Sequence, residues 1–446
     1  MPIAPAGSQL NVERSMLNVQ RSRSSLTITE ISYGGRGVGR LDGKVCFVPG
    51  VLPGETVAID VVRDRGNFTE AKLIAILAPS PHRIRPTCPL ASHCPGCFYQ
   101  HADYGEEVRI KNEQFRSLLA RWTPTSGRRQ EPEGSHQTPT APGGRSPPGE
   151  PLDDNDRSLF LPPVAAPRPL GYRNKMALHA QTDGKDRRLG YFMEDNTTIL
   201  DVPACPLAME PLNALLTERR ADPSFLKTLR NDMTITFRWT EKDGAVWWRN
   251  RAAENDVWLV ESSVIGPLAV PRNSFYQMNP AMADRLVTAV MDRLKATPPD
   301  TVIDLYCGVG IFALAAATLG IPRVLGVDLD GPGIRAAEFN ARKLGLANIQ
   351  WKAAAAHEGI SGLGLEHPEL TTLIVDPPRS GLGRPMIRDL LKHRPARILY
   401  ISCAPDTMAR DAAWLGEGGY TILSSQLFDM FPRTAHFESL TEFHIP

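Results

Sequence analysis

The alternation of strand-like and helix-like segments after Pro299 is the feature that most constrains the fold of this chain. An apolar run, Val302–Tyr306, leads through a glycine turn into a helical stretch, and helical segments separate the later apolar runs that end near Asp328, Asp376 and Ser402. Strands that alternate with helices form a parallel sheet with helices on both faces. We therefore predict a Rossmann-like α/β domain, with two further strands at its C-terminus.

The N-terminal part has a different pattern. Five short β-type runs between Leu26 and Leu77 are punctuated by glycines, which predicts a small antiparallel barrel of the OB kind, a fold that commonly binds nucleic acid. Its turns and strand ends carry five cations: Arg36, Arg40, Lys44, Arg63 and Arg65. This pattern fits a solvated basic face as well as an RNA-binding face.

A chain of 446 residues is expected to form roughly three domains. We predict a barrel over 25–80, a mixed, mostly β central domain over 81–270 and the α/β domain over 271–446. Residues 1–24 are predicted to be a disordered extension, although their Ser and Arg content also fits a transit peptide. A Pro-, Gly-, Ser- and Thr-rich stretch is predicted to be a disordered insertion over about 123–165.

Composition narrows the setting in which the protein acts. No apolar run approaches the ~20 residues of a membrane span, and seven cysteines without a secretory leader indicate a reducing, cytoplasmic location. The formal net charge is only +1, but basic residues outnumber acidic ones in residues 1–87, which hints at a polyanionic partner. We expect a monomer that needs no obligate protein partner.

The turn Gly308-Val309-Gly310 follows a buried strand and opens a helix. Small residues let the backbone approach a ligand there, and the helix N-terminus offers free N–H groups. Gly308, Gly310 and Ala313 satisfy G-x-G-x-x-[GA], so the local motif does not exclude NAD. Asp328, twenty residues after Gly308, ends the next apolar run, where a carboxylate can accept ribose hydroxyls. An adenosine-containing ligand is predicted.

A second group of residues suggests a metal. Cys88, Cys94 and Cys97 give C-x5-C-x2-C in a Pro-rich loop, and Cys205 is a plausible fourth ligand. Three thiols so close together in a loop favour metal binding over buried core thiols. Thiolates alone do not separate zinc from a 4Fe-4S cluster.

Cys403 stands at the end of an apolar strand, just before Ala404-Pro405. Because proline prevents the strand from continuing, the thiol is presented at the edge of the sheet, where substrate can reach it. We predict that Cys403 is a nucleophile. Cys46 and Cys307 are expected to be core thiols.

Several motifs together carry a family resemblance. Asp304 before the glycine turn and Asp376-Pro377-Pro378 after a later strand resemble S-adenosylmethionine-dependent methyltransferases, which leaves NAD as the minor alternative. The ordered motifs are Cys94–Cys97 with Gln100-His101, Tyr172–Lys175, Phe275–Pro280, Asp304–Gly310, Asp376–Gly381, Ser402–Thr407 and Phe431–Glu438. From Leu26 onward, apart from the insertion, the chain resembles the uracil-5 RNA methyltransferases, specifically the ribosomal RNA members with a TRAM barrel and an iron-sulfur cluster.

The resemblance implies a role for each matching residue. Cys403 would be the nucleophile and Glu438 the base. The ligands of a 4Fe-4S cluster would be Cys88, Cys94, Cys97 and Cys205, and the residues that bind S-adenosylmethionine would be Gln277, Tyr306, Gly308, Gly310, Asp328 and Asp376. Asp328 replaces the usual glutamate, and Ala353–Ala356 replace a polar position, so we predict no adenine contact there.

The predicted reaction is methylation of carbon 5 of a uridine in 23S ribosomal RNA, with transfer RNA as the nearest alternative. A thiolate that adds to carbon 6 makes carbon 5 nucleophilic, and a base must later remove its hydrogen. The base must leave its stack, which favours a single-stranded loop. A non-catalytic RNA-binding assembly factor and an NAD-linked iron-sulfur oxidoreductase are the alternatives from other classes. The roles of Arg379, Arg433 and His436 stay open.

Overall fold

The structure, a computed structural model, describes residues 24–120, 159–184, 186–250, 257–361 and 367–445. The predicted N-terminal extension up to residue 23 and the predicted insertion up to residue 158 lie outside these ranges. No helix within them is long and apolar enough to cross a membrane. The described residues divide into two compact units, one within residues 24–92 and 96–114, the other within residues 93–95 and 115–445.

The first unit contains the predicted closed barrel, but the barrel is not wholly antiparallel, because strands Lys44–Pro49 and Phe68–Ala78 pair in parallel. Its strands pair in the order β1-β2-β3-β5-β4. They are β1 (Ser24–Ser32), β2 (Arg36–Leu41), β3 (Lys44–Pro49), β4 (Thr56–Asp64) and β5 (Phe68–Ala78), and helix α1 (Tyr104–Ala120) follows them. Alternate residues such as Leu26, Ile28 and Ile59 fill the interior. β2 lacks side chains at Gly37 and Gly39, where a Cβ atom would lie about 2 Å from Val51 and Leu26 respectively.

The barrel cations that the sequence singled out are largely paired. Arg36 and Arg63 both contact Glu70, at 3.5 and 3.6 Å, and Lys44 lies 3.0 Å from Asp64. Exposed pairs of this kind contribute little to stability, but they neutralise charge. The pairing favours the solvated ionic face over a continuous cationic one.

The second unit begins with a mostly antiparallel region. Its five-stranded sheet has the order β10-β9-β6-β7-β8, and β11 and β12 form a separate hairpin. The elements are β6 (Lys175–Asp183), β7 (Asp186–Phe192), β8 (Ile199–Asp201), α2 (Glu210–Ala221), α3 (Pro223–Thr228), β9 (Thr234–Thr240), β10 (Gly244–Arg249), β11 (Trp258–Glu261) and β12 (Leu268–Pro271). This agrees with the mixed, mostly β character that the sequence indicates.

The rest of the second unit is the predicted α/β sheet, with seven strands in the order β15-β14-β13-β16-β17-β19-β18. The strands are β13 (Thr301–Leu305), β14 (Arg323–Asp328), β15 (Ile349–Ala353), β16 (Thr371–Val375), β17 (Arg397–Ser402), β18 (Thr421–Phe428) and β19 (Glu438–His444). The helices are α4 (Pro280–Ala296), α5 (Ile311–Thr318), α6 (Gly331–Lys343), α7 (Ala356–Ser361), α8 (Gly383–His393) and α9 (Pro405–Glu417).

The direction of the strands determines where a site can form. β13 to β17 are parallel, and β19 runs antiparallel to β17 and β18. The carboxyl ends of the parallel strands therefore meet at one edge, where open α/β sheets bind ligands. Residues 159–165, at the end of the predicted insertion, are ordered: Phe160 and Val164 form bridges to Ser425 and Phe428 of β18.

Candidate active site

Cys403 and Glu438 lie at the same end of two paired strands. β17 is buried along its whole length and ends at Ser402, which is paired with Ser439 of the antiparallel β19. The next residues along these two strands are Cys403 and Glu438. Their proximity is visible in their electrostatics: the pKa of Cys403 is raised to about 11, first by burial and then by the charge of Glu438. The structure thus brings the predicted nucleophile and base together.

The turn after β17 holds the sulfur at the sheet edge. The Ser402 hydroxyl accepts a hydrogen bond from the backbone N–H of Ala404 and donates one to its carbonyl, both at 3.1 Å. Pro405 is the first residue of α9, a position where its missing N–H has no cost. The proline therefore ends the strand and begins the helix, and it leaves Cys403 only half-buried.

Arg379 is a site residue that the sequence reasoning left open. It is exposed, and its charge, with a hydrogen bond from its side chain to Cys403 as the smaller contribution, lowers the pKa of the thiol. Its charge also lowers the pKa of Glu438. The signal in the sequence was its position, directly after Asp376-Pro377-Pro378 at a strand end.

Helix α9 fixes the loop that carries Arg379. The Thr407 hydroxyl donates to the Arg379 carbonyl at 3.0 Å, and Arg410 donates to the Ser380 carbonyl at 2.8 Å. The fully buried carboxylate of Asp411 accepts the backbone N–H of Leu382 at 2.6 Å. Three side chains of one helix thus hold the backbone of this loop in place.

The acids at the sheet edge interact with one another. Asp376 follows β16, and its pKa is raised to about 7 by desolvation and then by Asp328. Glu438 is buried, and desolvation, with Asp376 next, raises its pKa well above its ordinary value. Its Oε2 atom has no hydrogen-bond partner among the described residues. Burial and the neighbouring acid thus favour the protonated form of Glu438.

The glycine turn is attached to the neighbouring strand by Asp328. One carboxylate oxygen accepts the N–H of Gly308 and the other that of Asp330, both at 2.7 Å. Asp328 is thus a structural residue of the turn, and each oxygen keeps a further lone pair for a ligand hydroxyl. Asp304 on β13 accepts the N–H of Ala313 at 2.9 Å.

The two glycines of the turn differ in what surrounds them. Gly308 has a φ of +56° and nothing within 4 Å of the place where a Cβ atom would be. At Gly310, with a φ of +82°, a Cβ atom would lie 2.3 Å from the ring of Trp351. Gly308 therefore borders open space, whereas Gly310 is required by packing. Cys307 is buried, as expected of a core thiol, and burial raises its pKa.

Two other predicted cofactor residues are near this turn or in a preceding loop. Tyr306 has a φ of +63°, an uncommon conformation for a bulky residue. Its pKa is raised by burial and by the nearby charges of Asp411 and Asp328, so its ring lies at the same edge of the sheet. Gln277 is buried in the loop before α4.

The four predicted cluster cysteines have polar neighbours. Gln100 is buried, its carbonyl accepts the N–H of Cys88 at 3.1 Å, and its amide donates to the sulfur of Cys97 at 3.4 Å. In the second unit, burial raises the pKa of Tyr191, with Cys205 as the next cause and Cys94 as a smaller one. Within the described ranges, no group of three or more His, Cys, Asp or Glu side chains is arranged to hold a metal ion. The predicted ligand set is therefore not confirmed.

Comparison with known proteins extends this description. Residues 268–441 match the family described as tRNA (Uracil-5-)-methyltransferase, and residues 20–74 match the TRAM domain. The chain is 29% identical to the Xanthomonas axonopodis pv. citri protein named 23S rRNA (uracil(1939)-C(5))-methyltransferase RlmD, over 96% of this chain and 99% of the relative. It is also 29% identical to an uncharacterized RNA methyltransferase of Synechocystis, over 96% of this chain and 97% of that protein.

A solved structure shares the fold. The Pyrococcus abyssi tRNA (uracil-54, C5)-methyltransferase, solved in complex with S-adenosyl-L-homocysteine, aligns with a TM-score of 0.67 and 20% identity over 94% of this chain and 100% of its own. The α/β sheet and its glycine turn thus have the fold of S-adenosylmethionine-dependent methyltransferases. Within that class, the C-terminal part of the chain carries the match to the uracil-5 RNA methyltransferase family, and its N-terminal barrel carries the match to the TRAM domain.

Proposed function

We propose that this enzyme methylates carbon 5 of a uridine in 23S ribosomal RNA through a covalent adduct between Cys403 and the uracil ring. The observation that carries the proposal is that Cys403 and Glu438 lie at the same end of the paired strands β17 and β19. The side chain of Arg379 is hydrogen-bonded to the sulfur. A nucleophile and a base are the two side chains that this reaction requires, and the cation favours the thiolate.

The residues that border the glycine turn fit S-adenosylmethionine. Gly308 faces open space, and the Oδ1 atom of the buried Asp304 has no hydrogen-bond partner among the described residues. An unpartnered buried carboxylate oxygen suits a cationic ligand group. When bound, the cofactor would supply an electrophilic sulfonium methyl group. Gln277, Tyr306, Asp328 and Asp376 are the other residues that we assign to its binding.

The chain's own residues would act in two stages. The thiolate of Cys403 adds to carbon 6, so that electron density moves to carbon 5, which becomes methylated. The carboxylate of Glu438 then removes the hydrogen that remains on carbon 5, the carbon–sulfur bond breaks, and the thiolate is restored. In the substrate-free site the protonated form of each group is favoured, because the pKa of each is raised. Each must therefore lose its proton before it acts.

Transfer RNA is the second candidate substrate. The matched family is described by its transfer RNA activity, whereas relatives that cover nearly the whole chain are named for 23S ribosomal RNA. The deciding experiment incubates the enzyme with tritiated S-adenosylmethionine and each RNA from a strain that lacks the gene. We expect 5-methyluridine in 23S RNA only. Label in transfer RNA alone would replace the proposed substrate, and label in neither would contradict the proposed activity.

The adduct itself is tested with RNA that contains 5-fluorouridine. Fluorine at carbon 5 cannot be removed as a proton, so the adduct should persist on a denaturing gel. Cys403→Ala should form none, whereas Cys307→Ala, which changes the buried thiol beneath the glycine turn, should still form it. An adduct that persists in Cys403→Ala would exclude the proposed nucleophile.

We also propose that Cys88, Cys94, Cys97 and Cys205 hold a 4Fe-4S cluster with a structural role. The donor chemistry supports this assignment: the amide of Gln100 points at the Cys97 sulfur, and the cation of Arg173 interacts with Cys205. Both features stabilise a thiolate. Anaerobically purified protein should contain iron and sulfide, and Cys205→Ala should lose them. Stoichiometric zinc without iron would contradict the proposal.

A further inference from the structure

The outer surface of helices α8 and α9 carries an open groove of about 190 Å³, which we name the α8–α9 groove. It is lined by Arg384, Ile387, Arg388, Leu391, Trp414, Glu417 and Gly418. Arg384, Arg388 and Lys392 follow one another at intervals of four residues and are exposed. Side chains with this spacing lie along one face of a helix, so α8 presents a row of cations beside the groove.

Trp414 organises two of the guanidinium groups. Arg384 lies 5.0 Å from the centroid of the indole ring, and Arg410 lies 4.9 Å from it. Such contacts stabilise a cation by the ring quadrupole, and they limit the rotamers of a long side chain. A guanidinium held against a ring still presents its N–H groups at its edge, the geometry that recognises phosphate.

The groove lining contains two cations, Arg384 and Arg388, and one carboxylate, that of Glu417, which forms no ion pair with either of them. Arg410 pairs with Asp411, and Lys392 lies 3.5 Å from Asp389. Arg384 and Arg388, by contrast, have no ion pair with any carboxylate in the described part of the chain. Like charges four residues apart destabilise a helix. Arg384 and Arg388 therefore repel each other in the free protein, and an anion bound between them would relieve this repulsion.

Arg410 links the groove to the active-site loop. Arg410, which contacts Trp414, also donates to the Ser380 carbonyl at 2.8 Å. Ser380 follows Arg379, the residue hydrogen-bonded to Cys403. Arg384 is the second residue of α8. The row of cations therefore begins within five residues of the group that contacts the nucleophile.

We propose that the α8–α9 groove binds the sugar-phosphate backbone of the RNA strand that flanks the target uridine. This inference depends on the proposed function, because it requires an RNA substrate at Cys403. Arg384 and Arg388 contact phosphates, and Ile387 and Leu391 form an apolar floor for a ribose or base. Phosphate contacts of this kind contribute affinity and position the strand without reading its sequence.

The test compares two charge-neutralised proteins. One is R384Q/R388Q; the matched control is R342Q/K343Q, which removes two exposed cations from the last turn of α6. Binding of a fluorescein-labelled RNA hairpin with a uridine in its loop is followed by anisotropy over a range of KCl concentrations. For R384Q/R388Q we expect affinity to fall about tenfold and the slope of log K against log salt to decrease by about 0.7 per lost contact.

Kinetics separate the groove from the catalytic centre. R384Q/R388Q should raise the KM for RNA while kcat stays at the wild-type value, because neither arginine contacts the reacting atoms. The loss should be uniform across hairpins of different flanking sequence. If R384Q/R388Q bound the hairpin with wild-type affinity and wild-type salt slope, the inference would be wrong, whatever the rate of methylation. Absence of methyl transfer by the wild-type enzyme would contradict the proposed function and leave the binding comparison intact.

Discussion

Arg379 forms a hydrogen bond with the sulfur of Cys403 and opposes the effects that keep that thiol protonated. Burial and the charges of Glu438 and Asp376 raise the thiol pKa to about 11, and the cation acts in the other direction. Because only the thiolate adds to uracil, the proposed reaction should accelerate as pH rises through the neutral and alkaline range. Single-turnover adduct formation with 5-fluorouridine RNA, measured against pH, checks this directly.

Replacement of Arg379 should slow the same step. In Arg379→Ala the thiol pKa rises further, and we expect adduct formation at neutral pH to fall about tenfold, the lower end of the effect of a charged hydrogen bond. Raising the pH should recover part of the rate. Arg379→Lys keeps the charge, so its rate of adduct formation should lie between those of the wild type and Arg379→Ala. An unchanged pH profile in Arg379→Ala would show that the guanidinium does not act on the thiol.

The second prediction concerns release of the product. Glu438→Gln keeps the size of the side chain but removes the base, so methylated RNA should remain attached to Cys403. Loss of a general base slows such a step by roughly 10²–10⁴-fold. The adduct with unmodified RNA should accumulate on denaturing gels and contain the transferred methyl group.

Glu442→Gln is the matched control for this prediction. Glu442 is on the same strand, and it pairs with Arg397 at 2.7 Å and with Arg293 at 3.6 Å. Its replacement lowers stability without removing a base from the site, so no adduct should accumulate. Normal turnover by Glu438→Gln would mean that another group removes the hydrogen of carbon 5.

A third prediction concerns the loop before Glu438. The buried hydroxyl of Tyr172 donates to the Pro432 carbonyl at 3.0 Å, and Asn279 donates to the Met430 carbonyl at 3.0 Å. Tyr172→Phe removes one of these bonds, worth about 1 kcal/mol. If Tyr172 positions Glu438, release should slow about fivefold while 5-fluorouridine adduct formation keeps its wild-type rate.

The chain provides a control for that variant. Tyr420 is also buried and donates to the Pro395 carbonyl at 2.6 Å, at the start of β18 rather than near Cys403. Thermal denaturation should show that Tyr420→Phe loses about as much stability as Tyr172→Phe. The ratio of the rate of product release to the rate of adduct formation should not change in Tyr420→Phe. Equal ratios in both variants would assign Tyr172 a purely structural role.

The order of strands and helices could be read from the sequence because buried parallel strands have continuous apolar runs. Those runs also placed Asp328, Asp376 and Cys403 at one edge of the sheet. The apolar runs do not predict which residues are paired across neighbouring strands. Only the antiparallel register of β19, set by three-dimensional packing, puts Glu438 beside Cys403, and the sequence suggested that partner through family resemblance alone.

Side-chain direction was also hidden from the sequence. The pattern around Arg379 gave no reason to choose between a phosphate contact, a base contact and a surface ion pair, because that choice depends on how α9 holds the loop. Asp328 shows the same limit. Its spacing from Gly308 predicted a ligand contact, but the hydrogen bonds to the backbone of the turn depend on how closely β13 and β14 approach.

The last prediction uses the contrast between the two glycines of the turn. Alanine at either position must adopt a positive φ, which costs roughly 1–2 kcal/mol. Gly310→Ala must in addition displace the Trp351 ring, because its Cβ atom would lie 2.3 Å from it. Overpacking of this kind costs about a further 1–3 kcal/mol. Urea denaturation without cofactor should therefore show a larger loss of stability for Gly310→Ala than for Gly308→Ala.

A double variant separates the two contributions. Trp351→Leu in the Gly310→Ala background removes the clash and should recover part of the lost stability, whereas Trp351→Leu in the Gly308→Ala background should only destabilise further. This difference in sign follows from contact between Trp351 and position 310. Two results together would contradict this explanation: equal loss of stability in Gly308→Ala and Gly310→Ala, and no recovery on Trp351→Leu. Packing against the indole would then not be the reason for glycine at position 310.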